Sequence, residues 1–453
     1  ALLGQQADGW RRTVIPVILG AWVAAAAVNS VIALLQYFDQ ARHLGFLVNV
    51  SPVGEAYGNL RQRNQMASLT GIGFVALLWW APRIPGASVI GLIVLLALGN
   101  ATTASRTGAM QWLGLALLAV LWPGEGRRRR VVWALIALAA YLIATLSLPE
   151  LLEVATGKTA GSALSRFGGE TGCSSRRVLW SNVLYLIGLA PWTGWGWGHL
   201  DYAHFMTLYP GTRFCDILDN AHNLPLHLAV ELGLPMAGAV CVLVVAWVLR
   251  RRPWAERDAT RQAAWGVLAV IAVHSLLEYP LWYGPFQIAT VLCVLLLWRR
   301  PGGAADAGGG TGVAIRAQMA LILALMVALA YAAFDYLRVS QLYLTPNKQT
   351  VLFRENAFEQ ASRSWLFQEQ VRFADLTLST LSRENAEWTH DLAAELLHFS
   401  PEPRVVERLI ESAVMLGRDD EALALLARFR AAFPEDHAQW AAAQRASAAS
   451  VPR

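Results

Sequence analysis

The chain has 453 residues, of which 55% are hydrophobic and only 15% are charged, whereas soluble domains average about 25% charged residues. This composition excludes a soluble globular enzyme and predicts an all-α membrane protein with many spans. The formal net charge of +5 is unevenly spread, because residues 1–334 carry 24 basic and 15 acidic side chains and arginine supplies most of that excess.

Apolar runs of spanning length predict about nine helices before residue 335. They are Val14–Leu35, Met66–Trp80, Ser88–Ala104, Gly108–Trp122, Val131–Leu148, Leu224–Leu249, Trp265–Leu281, Phe286–Trp298 and Ala317–Phe334. Arginine-rich short loops, such as those at Arg127 and Arg250, place one face of the bundle in the cytoplasm by the positive-inside rule. Segment Gln36–Gln65, loop Pro149–Asn223 and the chain after Asp335 are then expected on the outer face.

The sequence divides into a transmembrane domain over residues 1–334, with a large outer loop over 149–223 inside it, and a tail over 335–453. The tail returns to soluble composition and has helical periodicity. One interpretation is a helical cap on the outer face of the bundle. The other is a set of helix pairs resembling tetratricopeptide units that docks a partner, although no clear repeat of about 34 residues is visible. Because the chain has neither an initiator Met nor a cleavable signal, we expect further spans to precede Ala1.

The stretch DNAHNLPLHLAVELGLP, from Asp219 to Pro235, carries His222 and Asn223 directly into an apolar helix. Pro225 is favoured in the first turn of a helix, and the unpaired N–H groups there suit an anionic ligand. A histidine kept neutral near pH 7 is what a general base requires. His222 is therefore the candidate catalytic residue, and the alternative is a surface or capping histidine.

Four further residues are expected to support His222. Asn223 is its neighbour, and His227, about one turn further along the helix, is expected to hydrogen bond between helices. His274 and Glu278, in HSLLEYPLWY, lie four residues apart on one helix face. Ionisable groups in membrane segments are functional by default, but His274 and Glu278 could instead satisfy one another.

Arginines on the outer face oppose the positive-inside bias, and their planar donors match phosphate oxygens. We expect Arg63, Arg106 and Arg177 to bind phosphate, because each lies beside small or amide residues close to an apolar run. The alternative is that each pairs with a carboxylate or faces solvent. Other candidates of the same kind are Arg61, Asn64, Arg166, Arg176 and Arg213.

The run PWTGWGWGHL, from Pro191 to Leu200, combines glycines that permit tight turns with exposed aromatic rings. Trp195 and Trp197 offer flat faces on which sugar rings stack. An aromatic belt that anchors the loop in the head-group zone explains the run equally well.

Cys173 and Cys215 lie in the same extramembrane segment, where an oxidising periplasm would favour a disulfide. The sequence leaves a bridge and two free thiols equally open. The chain contains no Walker-type loop and no HExxH or CxxC motif, so neither a nucleotide nor a metal site is predicted.

Five segments carry a resemblance to known proteins: NLRQRNQMASL, TTASRTGAMQW, SSRRVLWSNVLYLIGLAPWTGWGWG, DNAHNLPLHLAVELGLPMAG and HSLLEYPLWYGPF. They are similar to the superfamily of bacterial O-antigen ligases, O-antigen polymerases and protein O-oligosaccharyltransferases. HSLLEYPLWY and the long helical tail most resemble the protein O-oligosaccharyltransferases that glycosylate pilin. Members of the superfamily have around a dozen spans, so the resemblance implies that early spans are absent from this sequence.

The resemblance implies a GT-C-like glycosyltransferase of the bacterial inner membrane, with its active site facing the periplasm. It implies transfer of an oligosaccharide from undecaprenyl pyrophosphate to Ser/Thr hydroxyls of a periplasmic protein such as pilin, without metal or other cofactor. It assigns catalytic roles to His222, Arg106 and Arg177. Membrane lipids are the other expected partners, and no nucleic acid is expected.

Alternative functions remain at this point. An O-antigen ligase that transfers glycan to lipid A core, or an O-antigen polymerase, would use the same chemistry on another acceptor. An anionic-lipid transporter or flippase would line its route with the arginines, but the predicted spans are nearly free of charge in their middles. A structural scaffold with a docking tail would leave the outer-face arginines unexplained.

Overall fold

The computed structural model describes residues 14–161, 172–298 and 311–450, and every regular element within them is helical. The prediction of an all-α polytopic membrane protein is confirmed. In the first three quarters of the chain the α-helices are Ile15–Tyr37, Arg63–Trp80, Gly86–Ala101, Arg106–Leu121, Arg127–Thr156, Arg176–Leu189, Leu200–Met206, Leu224–Arg251, Ala259–Ser275, Gly284–Trp298 and Thr311–Ser340. In the tail they are Val351–Arg354, Ala357–Ser362, Gln368–Leu378, Ala386–Leu396, Pro403–Met415, Asp419–Ala432 and Pro434–Ser450.

Four helical segments of the described chain are long and apolar enough to cross a bilayer. They are Ile15–Tyr37, Arg127–Thr156, Leu224–Ala255 and Met319–Tyr343. Shorter apolar helices accompany them at Gly86–Ala101, Arg106–Leu121 and Gly284–Trp298. Together with the composition, these helices identify a membrane protein.

The ends of the helices differ from the ends of the predicted apolar runs where polar residues form part of a helix inside the bundle. Helix Ala259–Ser275 begins before Trp265, because the Asp258 side chain accepts a hydrogen bond from Arg261 N at 3.0 Å and caps the helix. Arg261 is itself buried and pairs with Glu256 at 2.7 Å. A search for apolar runs misses this polar first turn.

The described chain divides into two compact units. The first comprises residues 14–161, 222–225 and 239–298, and the second comprises residues 172–221, 226–238 and 311–450. Helix Leu224–Arg251 therefore contributes to both units.

Helix Arg63–Trp80 is the centre of the first unit, and it is buried almost continuously from Gln65 to Trp79. Small residues allow its neighbours to approach closely: a side chain at Gly73 would lie 2.4 Å from Ala26 Cβ. Phe74 stacks on Trp112 with ring centroids 5.3 Å apart. This close packing holds the middle of the helix, whose first turn carries Arg63 and Asn64.

In the second unit, the tail helices pack around the short helix Leu200–Met206. Phe205 lies in the same apolar cluster as the tail, and Tyr202 stacks on His398 with centroids 3.8 Å apart. Arg428 donates to Met206 O at 2.9 Å. From Gln368 onward, alternate tail helices begin 35, 33 and 31 residues apart, near the ~34-residue period of tetratricopeptide arrays. The tetratricopeptide-like interpretation and the predicted domain boundaries stay predictions.

Candidate active site

The centre of the candidate site is a histidine–carboxylate pair in the first unit. His222 Nδ1 lies 2.6 Å from Glu278 Oε2. The His222 side chain is 26% exposed and that of Glu278 is 8% exposed. The imidazole can therefore meet a substrate, while the carboxylate that holds it is screened from water.

Glu278 is held by a residue at the start of one helix, which is held in turn by a residue at the start of another. Asn64 Nδ2, in the first turn of helix Arg63–Trp80, donates to Glu278 Oε1 at 2.9 Å. Ser105 Oγ donates to Asn64 Oδ1 at 2.6 Å, and Ser105 also caps helix Arg106–Leu121 by accepting from Gly108 N at 3.0 Å. A chain of hydrogen bonds thus links His222 to three separate segments, and such networks fix side-chain orientation.

The backbone at His222 adopts a left-handed conformation, with φ of 49°. This conformation is uncommon for a residue other than glycine, and such strain concentrates at functional sites. The next residue, Asn223, anchors the turn by donating to Leu276 O at 2.9 Å. The ring of Tyr279 meets the His222 ring edge-on at 4.9 Å. These contacts over-determine the imidazole position.

A second hydrogen-bond chain starts at His274. Its Nδ1 lies 2.8 Å from Ser68 Oγ, which accepts from Gln111 Nε2 at 2.7 Å. Gln111 also donates to Val270 O at 3.0 Å. His274 and Glu278 thus contact different partners, Ser68 and His222, although both line one cleft. The residues lining that cleft are Gln62, Gln65, His274, Glu278, Tyr279, Pro280 and Tyr283.

Two predicted phosphate ligands of the first unit directly neighbour the Glu278 network in sequence. Arg63 precedes Asn64, and its buried Nη1 has no hydrogen-bond partner among the described residues. Arg106 follows Ser105, begins its helix and is half-buried. Arg61 is exposed and donates to Asn49 Oδ1 at 3.2 Å.

In the second unit, Arg176 and Arg177 open helix Arg176–Leu189, where the Ser175 side chain accepts from Val178 N. Arg176 is half-buried and Arg177 is exposed. Arg213 donates to Thr207 O at 2.9 Å. Arg166 lies outside the described residues.

The tryptophan loop pairs with a break in helix Leu224–Arg251. Gly233 is non-helical there, with φ of 82°, and a side chain on it would lie 2.3 Å from Trp192 O. Trp195 N donates to Val230 O at 2.9 Å. The Trp197 ring lies 6.4 Å from that of His227, and His227 Nε2 lies 3.4 Å from Glu231. The glycines thus serve close backbone approach, and the stacking roles of Trp195 and Trp197 stay predictions.

Cys173 and Cys215 form a disulfide, with Cα atoms 5.4 Å apart. The bond joins the two ends of segment 173–215. Because Cys173 lies two residues before Ser175, the bond holds the start of the helix that opens with Arg176 and Arg177.

Two ionisable groups within the segment that this disulfide closes have pKa values displaced from their ordinary range. Burial raises the pKa of Asp201 to about 6, and the nearby Asp219 carboxylate adds to that shift. Burial, together with the charge of Arg213, lowers the pKa of His204 to about 3. His204 Nε2 also contacts Phe214 O at 3.1 Å. A neutral, fully engaged His204 is structural.

Among the predicted site residues, the first unit brings together His222, Asn64 and Glu278. Sequence reasoning placed Glu278 beside His274 and missed its direct contact with His222. It also missed Ser105 and Tyr279. The signal for Glu278 was present in its position at the end of an apolar segment, but its partner lies 56 residues away along the chain.

Family comparisons match three parts of the chain. The family described as "O-Antigen ligase" matches residues 91–239, and "Protein glycosylation ligase" matches residues 56–81. "Virulence factor membrane-bound polymerase, C-terminal" matches residues 262–448. These matches include Arg63, Arg106, Arg177, His222 and Glu278.

Three curated relatives have similar levels of sequence identity to this chain. A general O-oligosaccharyltransferase of Acinetobacter baylyi is 25% identical over 58% of this chain and 47% of its own length. A ComP-specific O-oligosaccharyltransferase of the same organism is 25% identical over 58% and 46%. An O-antigen ligase of Pseudomonas aeruginosa is 27% identical over 50% and 48%. No solved structure matches the chain.

The chain thus spans about half the length of the relatives that it matches. The predicted resemblance to the superfamily, and to its pilin-glycosylating branch, is confirmed.

Proposed function

We propose that this chain, which resembles O-antigen ligases and protein O-oligosaccharyltransferases, transfers an oligosaccharide from undecaprenyl pyrophosphate to a Ser/Thr hydroxyl of a periplasmic protein. The observation that carries the proposal is the 2.6 Å contact between His222 Nδ1 and Glu278 Oε2. A buried carboxylate on one ring nitrogen fixes the tautomer, so that the other nitrogen can accept a proton. Glu278 is therefore a positioning residue, and His222 is the base.

The reaction is a single displacement. The acceptor oxygen forms a bond to the anomeric carbon while His222 takes the hydroxyl proton. The bond from that carbon to the phosphate oxygen breaks, and undecaprenyl pyrophosphate leaves with the electron pair. We expect inversion at the anomeric carbon, and the proton later passes from His222 to solvent.

The leaving pyrophosphate gains negative charge, which we assign to arginines. Arg63 and Arg106 each open a helix, and each lies next to a residue of the Glu278 network. Arg63 is followed by Asn64, and Arg106 is preceded by Ser105. Arg177 is the second residue of helix Arg176–Leu189 in the second unit. Guanidinium groups bind phosphate oxygens through paired charge-assisted hydrogen bonds, and losing one such group typically costs on the order of 10²–10³-fold in rate.

The proposal places the enzyme in the bacterial inner membrane with its site facing the periplasm. Its donor is a lipid-linked glycan and its acceptor is a protein such as a pilin. The relatives named as O-oligosaccharyltransferases support this acceptor class.

The test is one reaction of purified protein in lipid nanodiscs with undecaprenyl-pyrophosphate-linked glycan and a pilin-like acceptor, followed by intact mass. His222→Ala should lower turnover by about 10²–10⁴-fold while the donor still binds. The exposed His43 provides a matched control, and His43→Ala should leave turnover unchanged. Near-normal turnover of His222→Ala across neutral pH would contradict the proposal.

Glu278→Gln separates positioning from packing. The glutamine keeps an oxygen for Asn64 but presents an N–H group to His222 Nδ1, which favours the wrong tautomer. We expect a large loss of rate with a changed pH profile and an unchanged KM for donor. A loss of folded protein instead would assign Glu278 to stability alone.

Arg177 tests the donor role. Arg177→Ala should weaken both donor binding and rate, since phosphate contacts exist in the ground and transition states. Arg177→Lys should recover only part of both, because the ammonium lacks the planar fork.

A second candidate is transfer to lipid A core, favoured by the match of residues 91–239 to the O-antigen ligase family and by the Pseudomonas relative. The same reaction with lipid A core as acceptor distinguishes it, because only the true acceptor gains the mass of the glycan.

A further inference from the structure

The segment that follows the last membrane helix exposes an unusual concentration of large apolar side chains. We call residues 343–366 the collar. Val351, Leu352 and Trp365 are 82%, 70% and 74% exposed. Leu344, Phe358 and Leu366 are exposed as well. Soluble proteins rarely leave such a contiguous apolar surface uncovered.

The collar folds back onto the helix from which it emerges. Asp335, fully buried in helix Thr311–Ser340, accepts hydrogen bonds from Ser364 Oγ at 3.0 Å and Leu366 N at 3.0 Å. Arg338 pairs with the same carboxylate at 2.6 Å. The Phe334 ring meets that of Phe353 at 5.8 Å. The collar position along the helix axis is thereby fixed.

That position lies at the end of the membrane span. In helix Thr311–Ser340 the charged residues Arg316 and Asp335 bound residues 317–334, which carry no charge. At ~1.5 Å per residue these residues rise roughly 27 Å, close to the ~30 Å hydrocarbon core of a bilayer, so Asp335 lies where the core ends. Trp365 and Leu366, held at the level of Asp335, lie at that boundary.

Exposed apolar residues also run along the chain from the helix into the collar. Tyr336 and Leu337 are exposed on the helix, and Tyr343 and Leu344 continue the apolar surface into the collar. Exposed charged residues also lie within the collar, at Lys348, Arg354, Glu355 and Glu359, and the long stems of the two cations let their charged ends reach the aqueous side. Tryptophan and tyrosine favour this interfacial zone.

We propose that the collar is a membrane-interface anchor, whose apolar side chains insert among lipid head groups and upper acyl chains and seat the tail on the bilayer. Its occupant is lipid, because the surface begins on a lipid-crossing helix and is tied to it by the buried carboxylate of Asp335.

The experiment measures lipid contact directly in the full chain reconstituted in nanodiscs. Spin labels are placed by Val351→Cys and Trp365→Cys in a background with Cys241→Ser and Cys293→Ser, which leaves the Cys173–Cys215 bond in place. Leu423→Cys is the matched control, since Leu423 is an exposed leucine on tail helix Asp419–Ala432. Oxygen concentrates in lipid, whereas a nickel chelate stays in water.

At positions 351 and 365 we expect collisions with oxygen to exceed those with the chelate several-fold, and the reverse at 423. A bimane label at the same positions should be quenched by brominated acyl chains only at 351 and 365. High chelate access at both collar positions would overturn the proposal. Exclusion of both reagents without bromine quenching would also overturn it, since a protein partner would then cover the collar.

Discussion

The helices that carry the predicted arginine ligands and most helices of the tail begin with opposite charges. Five of the seven described tail helices carry acidic residues in the first turn: Ala357–Ser362, Gln368–Leu378, Ala386–Leu396, Asp419–Ala432 and Pro434–Ser450. Three helices that carry predicted site residues begin with arginine and have no acid in the first turn: Arg63–Trp80, Arg106–Leu121 and Arg176–Leu189.

The tail follows the rule set by the helix dipole, under which a carboxylate at the N-terminus is stabilising and a cation is not. Helix Arg127–Thr156 also begins with arginines, but the positive-inside rule accounts for those. On the proposed outer-face location, the positive-inside rule does not account for Arg63, Arg106 and Arg177. Residues that break a local rule are expected at functional sites. The N-terminus of a helix carries partial positive charge from the helix dipole, and a guanidinium there adds to it, so such a helix start can bind an anion.

Removing a cation should produce the largest contrast between the two regions. If Arg106 binds the leaving pyrophosphate as proposed, Arg106→Ala should lower transfer by about 10²–10³-fold with little change in the unfolding midpoint. Glu387→Ala in the tail should leave transfer unchanged and lower the midpoint slightly. Intact-mass rates and tryptophan-fluorescence melting curves measure the two quantities. A fall of the Arg106→Ala midpoint by many degrees would instead make Arg106 structural.

The disulfide offers a second contrast, since it holds the start of a helix that its charges disfavour. Cys173→Ser should destabilise the second unit by roughly 2–4 kcal/mol, as expected for a bond closing a loop of this length. Hydrogen exchange should quicken at residues 176–180 and remain unchanged at residues 386–396. Recovery of Cys173 and Cys215 as alkylatable thiols in native protein would show that the bond is absent.

Asp201 is an acid in a first turn that should not stabilise its helix at neutral pH. Burial raises its pKa from 3.8 to about 6, so the folded protein binds more protons than the unfolded chain between those values. Stability should therefore fall as the pH rises from about 4 to 6, on the order of 1 kcal/mol after allowance for screening. Asp201→Asn should flatten that part of the melting-temperature profile. An unchanged slope would assign the pH dependence to other groups.

Charge reversal should give the smallest effect. Arg176→Glu should stabilise its helix and Glu387→Lys should destabilise its own, each by about 0.3–1 kcal/mol. The two melting temperatures should move in opposite directions by similar amounts. Movement in the same direction would show that local contacts, rather than the helix dipole, govern both positions.

The apolar helices could be predicted because hydrophobic runs of spanning length have few other uses in a chain of this composition. Helix Arg176–Leu189 was missed, because the polar pairs Arg176–Arg177 and Ser181–Asn182 interrupt its apolar residues and the helix is too short to span. The histidine itself was found from its place before Pro225.

The pairing of His222 with Glu278 could not be predicted, since no local pattern relates residues that meet through tertiary structure. Spacing by four residues suggested His274 for Glu278 instead. The role of Ser105 could not be predicted for a related reason. Its sequence position indicates only an ordinary helix cap, and its contact with Asn64 depends on how the starts of two helices pack. Local sequence indicates which groups are unusual, whereas packing decides their partners.

The interruption at Gly233 also bears on how the chain is assembled during synthesis. Backbone amides and carbonyls at such a break cannot remain unbonded in lipid. Here Leu234 N donates to Pro191 O, and Val230 O accepts from Trp195 N. These partners are translated some forty residues earlier and are already present when the broken helix leaves the ribosome. The tryptophan loop thus supplies, from residues made earlier, hydrogen-bond partners for the backbone groups that the break exposes.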